Sequence, residues 1–523
     1  MDTPVYDYII VGSGFGGSVS ALRLAEKGYS VLVIEQGKRY RTRDFPKTNW
    51  NLRKYFWWPR LGLYGIQAMT LLKDVFILHG AGVGGGSLVY ANNLLVPPDD
   101  VLDDPRWGIP DTKKTLTPFY RRAQHMLGAT PCETIAETDE ILKECAADLS
   151  RGDTFHVNDV GVYFGDPDTT VPDPYFDGEG PERTGCTFCG GCMVGCRVGA
   201  KNTLDKNYLY LAEKLGVEIL PETRVTTVEH RDDIYLVRTR QVTGFRHPQN
   251  TYQARGIIFS AGVLGTTRLL FHCKQSGTLA RISDRLGHRV RTNSEALVGA
   301  RTRRRDVDYS HGLAITSGIY PDDQTHIEAV RYGKGQDSMS SLATILVGGH
   351  PVLPRPLLFL LSIIRHPLRF IRSLNPLAWA HRTVILLVMQ SLDNYLTLNY
   401  RPRWWRLGKS SLNSNWNTKK KVPSYIPVAN QYATMIAEKI DGEAFSILPE
   451  VLFDTSSTAH ILGGCVMAES PEKGVIDFSG KIHGYDNLYV IDGSIIPVNL
   501  GVNPSLTITA LAEYIMDKIP AKN

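Results

Sequence analysis

The sequence lacks any apolar run long enough to cross a membrane. A spanning helix needs about 20 mostly apolar residues, whereas the apolar stretches at 61–72, 356–364 and 383–392 are all much shorter. No apolar signal region precedes the first expected strand, which starts near Tyr6. These absences lead us to expect a cytoplasmic protein, and they leave peripheral contact with a membrane surface open.

The sequence also has little excess charge of either sign and few cysteines. Its 58 basic and 53 acidic residues leave a net charge of +5 over 523 residues. That excess is too small to predict a nucleic-acid-binding protein, and eight cysteines do not make a disulfide scaffold in so long a chain. With 43% hydrophobic residues and 48 glycines, the composition excludes disorder and collagen and is typical of a folded enzyme.

The N-terminal segment has the pattern of a dinucleotide-binding unit, in which a buried strand, a glycine turn and a helix follow each other. Gly12 permits the tight turn, Gly14 lets a pyrophosphate approach the backbone, and Gly17 lets the helix pack on the strand. Glu35 ends the second strand, where a carboxylate binds the ribose hydroxyls. The unit predicts a bound dinucleotide, but it does not distinguish FAD from NAD.

Further pieces of the same nucleotide-binding sheet are spread along the chain. A second glycine-rich stretch covers 80–87, and a strand near 256–259 leads through a Ser-Ala-Gly turn into another helix. A late strand ends at Asp492, whose carboxylate can hold a ribityl or phosphate oxygen. The final helix, over 505–519, begins where its dipole can stabilise negative charge on a reduced flavin. This spread predicts one domain interrupted by long insertions.

These motifs resemble the glucose-methanol-choline (GMC) oxidoreductase family of FAD enzymes, and within it the chain is most similar to the cholesterol oxidases. The resemblance is carried by the segments 12–17 with Glu35, 84–89, 199–206, 260–262, 460–465 and 489–504. It implies an α/β fold, with a Rossmann-like FAD-binding domain interrupted by an α+β substrate-binding domain built on a mixed or antiparallel sheet. We expect the FAD-binding domain at 1–45, 75–100, 185–295 and 455–523, and the substrate-binding domain with its lid segments at 46–74, 101–184 and 296–454.

The resemblance also assigns roles to individual residues. It places His460 and Asn503 beside the flavin and the substrate hydroxyl. Oxidising a secondary alcohol requires a group that takes the hydroxyl proton while hydride leaves for the flavin, and a neutral imidazole suits that task. The expected cofactor-binding residues are Gly12, Gly14, Gly17, Glu35, Gly85, Gly86, Ser87, Asn92, Val225, Ala261, Asp492, Gly493 and Asn503.

Steroid oxidases of this family also move a ring double bond, with a carboxylate poised over the steroid. Such a base needs an apolar pocket that raises its pKa. Two acids are candidates, Glu328 on an expected strand and Asp337 in the following loop. Alignment with the family pattern favours Asp337. The alternative is that Asp337 is an ordinary loop acid and that Glu328 pairs with Arg331.

Two segments depart from the best-known steroid oxidases. Tyr90-Ala91-Asn92-Asn93 replaces an asparagine and glycines near the flavin, which leaves both oxygen and a redox partner open as electron acceptor. Cys186, Cys189, Cys192 and Cys196 have spacings that resemble a ferredoxin run and indicate a [4Fe-4S] cluster, although Arg197 stands where such runs carry proline. A zinc site or buried thiols in a tight turn are the alternatives.

Two segments rich in apolar and cationic residues indicate a hydrophobic substrate. Residues 50–72 combine tryptophans with Arg and Lys, and residues 354–372 combine leucines with Arg365, Arg369 and Arg372. Each suits either an interfacial helix or an active-site lid. We therefore expect FAD-dependent oxidation of a steroid or sterol 3-hydroxyl to the 3-ketone, with 5-ene to 4-ene isomerisation as an added activity. The alternatives are a flavoprotein 3-ketosteroid isomerase without net redox and a long-chain alcohol dehydrogenase.

Overall fold

The computed structural model, which describes residues 4–244, 246–402, 408, 410–416 and 419–522, contains two seven-stranded sheets, and the first of them is mostly parallel. Its strands in spatial order are Glu218–Leu220, Val31–Ile34, Val5–Val11, Gln249–Phe259, Ile234–Gln241 and Thr223–Arg231, with Leu488–Val490 beside Gln249–Phe259. Strand Ile234–Gln241 pairs antiparallel with both of its neighbours, and the other pairs are parallel. We call this the first sheet.

Helices cover the first sheet, as its continuous buried strands require. They are Phe15–Glu26, Tyr208–Lys214, Gly262–Gln275 and Ser505–Asp517. The helix Thr112–Leu127 packs against Ser505–Asp517 and joins the same hydrophobic core through Leu116 and Tyr120. Residues from both ends of the chain therefore share one core, whereas the domain boundaries given above stay a prediction.

The second sheet is antiparallel and also has seven strands. In order they are Ala343–Ile345, Gly442–Ile447, Ala296–Thr302, Thr383–Gln390, Thr325–Val330, Ile315–Asp322 and His156–Val157. Alternate residues face opposite sides: Leu386 packs in the core beneath the helices Glu137–Asp148 and Pro427–Lys439, while Leu387 lies in a different cluster with aromatic residues. Glu328 pairs in register with Leu387, so it belongs to the side away from those two helices.

The remaining elements connect or flank these sheets. A three-stranded sheet holds Gln67–Leu71, Val75–Gly80 and Ser456–Thr458, and Leu396–Pro402 pairs with Ser410–Trp416. The short strand pairs are Trp57–Trp58 with Leu63–Tyr64, Ala129–Pro131 with Asp159–Gly161, and Thr170–Val171 with Arg183–Thr184. The other helices are Leu52–Tyr55, Asp99–Leu102, Arg355–Arg365, Pro367–Ser373 and Leu448–Phe453.

The architecture confirms the predicted fold class, an α/β protein with a Rossmann-like FAD-binding domain and a second, antiparallel sheet. Among the described residues, no helix combines the length and the apolar character that crossing a membrane would demand.

Candidate active site

The glycine turns that are far apart in sequence meet at the carboxyl ends of the first sheet. A Cβ on Gly85 would lie 2.6 Å from the Gly14 Cα, so the second glycine stretch presses against the first turn. A Cβ on Gly16 would lie 1.8 Å from the Ile491 carbonyl oxygen, which brings in the end of the late strand. Neither position has room for a side chain, and this explains why glycine is required there.

The cradle formed by these turns fits a dinucleotide. A Cβ on Gly14 would meet no atom within 4 Å, so the backbone at the start of helix Phe15–Glu26 borders open space. The first amides of a helix have no partner inside the helix and suit a phosphate. Asn92, which follows the second glycine stretch in the chain, is fully buried, and neither of its side-chain amide atoms is hydrogen-bonded. A buried amide without partners is costly, and a bound flavin can supply them.

The two acids expected at the cofactor, Glu35 and Asp492, accept hydrogen bonds from backbone amides of the protein itself. Glu35 accepts hydrogen bonds from Ser13 N at 3.1 Å, Ser13 Oγ at 2.9 Å and Gly37 N at 2.8 Å. Asp492 accepts from Thr266 Oγ1 at 2.6 Å and Ser494 N at 2.8 Å. Burial raises the pKa of both carboxyl groups, although these hydrogen bonds act in the opposite direction. Both acids lie at strand ends of the first sheet, as expected from the sequence.

The other expected cofactor residues are distributed along the same sheet and its connections. Gly12 and Gly17 pack against each other and against Ser260, and Ala261 precedes helix Gly262–Gln275. Gly85, Gly86 and Ser87 lie in the short 3₁₀ helix Gly85–Leu88. Gly493 follows Asp492, and Val225 is buried within strand Thr223–Arg231. Their contacts with a cofactor remain a prediction.

Four buried polar side chains meet where strand Thr325–Val330 of the second sheet approaches the turn before helix Ser505–Asp517. Glu328 Oε1 accepts from Asn93 Nδ2 at 2.6 Å and Asn158 Nδ2 at 3.0 Å, and Oε2 accepts from Asn503 Nδ2 at 3.1 Å. Burial raises the pKa of Glu328 to about 7, because the loss of solvation outweighs the three hydrogen bonds that favour its ionised form. This carboxyl group can therefore both accept and return a proton near neutral pH.

His460 is held by a second buried carboxylate. Its Nδ1 lies 2.5 Å from Glu295 Oε1, and Glu295 Oε2 accepts from Ala459 N at 2.7 Å. Burial disfavours the charged imidazole, but the charge and hydrogen bond of Glu295 outweigh burial and raise the pKa of His460. Because a carboxylate accepts at Nδ1, that nitrogen carries the proton and Nε2 is left as an acceptor. The arrangement can take a proton at Nε2.

Asn503 is positioned by the backbone before it. Asn293 Oδ1 accepts from Gly501 N at 2.9 Å, and Asn293 Nδ2 donates to Val502 O at 3.0 Å. These bonds fix the turn, and Asn503 Oδ1 lies 3.4 Å from Asn93 Nδ2. The sequence analysis missed Asn93, Asn158, Asn293 and Glu295, because none belongs to a local motif. The one signal was the departure Tyr90-Ala91-Asn92-Asn93, which pointed to Asn92 alone.

The structure brings Glu328, Asn503 and His460 together and leaves Asp337 elsewhere. Asp337 lies in a half-buried loop, and its Oδ1 accepts from Ala380 N at 2.7 Å. The suggested pair between Glu328 and Arg331 is not formed. Arg331 instead donates to Asp139 Oδ2 at 2.8 Å, and both side chains are fully buried. The geometry thus favours Glu328 over the Asp337 of the sequence analysis.

The cysteine loop lines a pocket but does not form a metal-binding group. Cys186, Cys189, Cys192 and Cys196 border one cavity together with Asn92 and Lys201. Within the described segments, no three His, Cys, Asp or Glu side chains are arranged to hold a metal ion. The sulfur atoms instead accept from backbone amides, Phe188 N at 3.4 Å and Gly199 N at 3.3 Å. The described residues therefore give no support for a [4Fe-4S] cluster or a zinc site, and of the four thiols only that of Cys186 is buried.

Comparison with known proteins gives the chain its relatives. The GMC oxidoreductase family models match residues 181–292 and 408–512, and a model described as an NAD(P)-binding Rossmann-like domain matches residues 10–50. The chain is 46% identical to a cholesterol oxidase of Acinetobacter baumannii, with 99% of this chain and 95% of that protein covered. It is 48% identical to a cholesterol oxidase of Mycobacterium tuberculosis (strain H37Rv), with coverage of 99% and 92%.

A solved structure, pyridoxine 4-oxidase from Mesorbium loti, has the same fold. Its TM-score is 0.61 at 15% identity, and the match covers 98% of this chain and 99% of that one. Identity this low bears on the fold alone. The nearly full-length relatives and the two family models, in contrast, cover the glycine turns, His460 and Asn503. On this evidence the chain belongs to the glucose-methanol-choline oxidoreductase family.

Proposed function

We propose that the protein is an FAD-dependent oxidoreductase that converts the 3-hydroxyl of a sterol to the 3-ketone. Two nearly full-length relatives that carry the name cholesterol oxidase support the substrate class. The observation that carries the reaction is the buried hydrogen bond between Glu328 and Asn503, with the half-buried His460 close enough to Glu328 for their charges to interact. The predicted cradle residues hold FAD, which when bound accepts the hydrogen of the carbinol carbon as hydride.

The chain's own contribution to the oxidation is to orient and deprotonate the hydroxyl group. Neutral His460 accepts the hydroxyl proton at Nε2, and Glu295 stabilises the imidazolium that forms. The raised pKa of His460 makes it a stronger proton acceptor once it is neutral. Asn503 orients the hydroxyl with its amide, and its own orientation is fixed by Glu328 and Asn293. Glu295 is thus a positioning residue.

The proposed function includes the shift of the 5-ene to the 4-ene. Glu328 is the base, because its pKa of about 7 suits removal of a proton next to a carbonyl and its return two carbons away. Three asparagine amides donate to the two oxygens of the carboxyl group, so it stays in one orientation while it carries the proton. Asp337, bonded to the Ala380 backbone, has no part in this step.

Anaerobic mixing of the yellow holoprotein with three substrates tests the proposal. A 3β-hydroxy-5-ene sterol should bleach the visible flavin band and yield the 4-en-3-one. Conversion of a 3-oxo-5-ene together with failure of every 3-hydroxysterol to bleach the band would instead indicate an isomerase without net redox. Bleaching by aliphatic alcohols alone would indicate the long-chain alcohol dehydrogenase. Admission of air after bleaching then reports whether oxygen is the electron acceptor.

A further inference from the structure

A helix pair outside the candidate site exposes an unusual amount of apolar surface. In helix Arg355–Arg365, Phe359 is buried and Leu358 and Ile363 pack against the cluster around Val347. The opposite stripe, spaced as one helix face, carries four exposed apolar side chains, Leu357, Leu360, Leu361 and Ile364. An ordinary surface helix carries polar residues on that face.

The next helix and its C-terminal extension continue the exposed surface. Leu368 is 66% exposed, Ile371 63%, Leu374 59% and Leu377 73%. An apolar area of this kind in a folded protein marks a surface that another phase or molecule covers. We call the eight exposed side chains from Leu357 to Leu377 the leucine surface.

The charge of this region identifies its occupant. No Asp or Glu occurs between 338 and 392, whereas Arg365, Arg369 and Arg372 lie within or beside the leucine surface. Arg372 pairs with Glu443 at 3.0 Å, but Arg365 and Arg369 are exposed and make no ion pair within the described part of the chain. Two copies of this surface would bring like charges together, which disfavours self-association. A partner with an anionic surface and an apolar interior would match both the positive charge of this region and its exposed apolar side chains.

We propose that the helices Arg355–Arg365 and Pro367–Ser373 dock the protein on an anionic lipid bilayer. The leucine surface enters the boundary of the acyl chains, and Arg365 and Arg369 contact the phosphate headgroups. Short helices suit this mode, because they lie in the interface plane and do not span it. The inference goes beyond the proposed function and does not rest on it, since vesicle binding is measured without turnover.

Flotation of the full-length holoprotein with vesicles tests the proposal. One vesicle set is phosphatidylcholine alone, and the other is an equal mixture of phosphatidylcholine and phosphatidylglycerol. We expect binding to the mixed vesicles, weak binding to phosphatidylcholine, and release by salt. Leu360→Glu with Ile364→Glu should reduce binding to background, and Arg365→Gln with Arg369→Gln should weaken binding to the anionic vesicles about tenfold or more.

Matched variants elsewhere on the surface serve as controls. Leu215→Glu with Ile135→Glu replaces two other exposed apolar residues, and Arg121→Gln with Arg231→Gln replaces exposed arginines. These should bind like the wild type, and all variants should retain bound flavin. The proposal is overturned if the wild type binds neither vesicle, or if the arginine variants bind as it does. Dimers that Ile364→Glu dissociates, without vesicle binding, would make the surface an interface between copies.

Discussion

Two carboxyl groups at the candidate site have opposite tasks because their partners differ. Glu328 accepts only from neutral amides, so burial dominates and its pKa rises to about 7. Glu295 bonds His460, and its charge and hydrogen bond, with a smaller contribution from the charge of Glu328, raise the pKa of that histidine. We infer that Glu328 moves a proton and that Glu295 holds His460, the base of the oxidation, in place. Each role predicts a different pH profile.

Replacing Glu328 should separate the two activities. Glu328→Gln keeps the size of the side chain but removes the base, so we expect isomerisation of a 3-oxo-5-ene steroid to fall about 10²-fold or more. In the wild type, isomerisation should rise with pH through about 7 and level off above it, because only the ionised carboxylate accepts a proton. Stopped-flow absorption of the conjugated ketone measures both.

The matched control for this prediction is Asp337→Asn. Asp337 bonds the Ala380 backbone, away from the buried group, so this variant should keep both activities within about threefold. Isomerisation that survives Glu328→Gln and disappears in Asp337→Asn would assign the base to Asp337, as the sequence pattern favoured.

Replacing Glu295 should move the pH profile of oxidation. Oxidation requires neutral His460, so its rate falls on the acidic side of the raised pKa of that group. Glu295→Gln removes the charge that raises this pKa, and the acidic limb should shift to lower pH while the maximal rate decreases. Rates of flavin reduction between pH 5 and 9 measure the shift. Glu513→Gln, which changes another fully buried glutamate bonded to Arg23 and Tyr208, should leave the acidic limb in place.

At the scale of elements, the strand ends of the first sheet carry the cofactor site. The sequence predicted the N-terminal strand, turn and helix well, because close glycine spacing and apolar periodicity are local signals. A local sequence pattern does not determine which strand ends come together in the fold. Glu328 and Asn93 are 235 residues apart, and His460 and Glu295 are 165 apart. These pairs depend on how two sheets pack, which no short pattern reports.

A single methyl group tests the cradle. The Cβ that Gly14→Ala adds would meet no protein atom within 4 Å. The apoprotein of this variant should therefore unfold at the same temperature as the wild-type apoprotein. The new Cβ would occupy space expected for the pyrophosphate, and FAD affinity should fall about tenfold or more. Reconstitution of apoprotein followed by flavin fluorescence measures this. Gly348→Ala, which also meets no atom and has no positive φ, should bind FAD normally.

A buried ion pair between Asp139 and Arg331 stabilises the packing of a helix on the second sheet. Asp139 accepts from Arg331, Thr316 and Ser317, and it thereby fastens helix Glu137–Asp148 to strand Ile315–Asp322. Asp139→Ala leaves the Arg331 guanidinium buried without its counter-ion, and we expect the free energy of unfolding to fall by about 3–5 kcal/mol.

Chemical denaturation measures this difference. Asp323→Ala breaks an exposed pair with Arg151 and should cost about 1 kcal/mol or less. Equal losses for the two variants would show that the buried pair contributes no more than a surface pair.

At the scale of the whole molecule, the chain returns to one sheet from both ends. Helix Ser505–Asp517 packs on Phe15–Glu26, and strand Leu488–Val490 pairs with Gln249–Phe259. The discontinuous α/β fold was predicted from glycine motifs, and the family comparison confirmed it. The iron-sulfur hypothesis had only cysteine spacing as support, and spacing does not report how the side chains are directed.

We infer that these scattered strand ends enclose one flavin and set His460 and Asn503 beside its reactive ring. A crystal structure of the purified yellow protein with its cofactor tests this arrangement. We expect one FAD per chain, with pyrophosphate at Gly14 and the isoalloxazine ring in contact with both side chains. A ring bound away from them, or a colourless protein that FAD does not reconstitute, would contradict it.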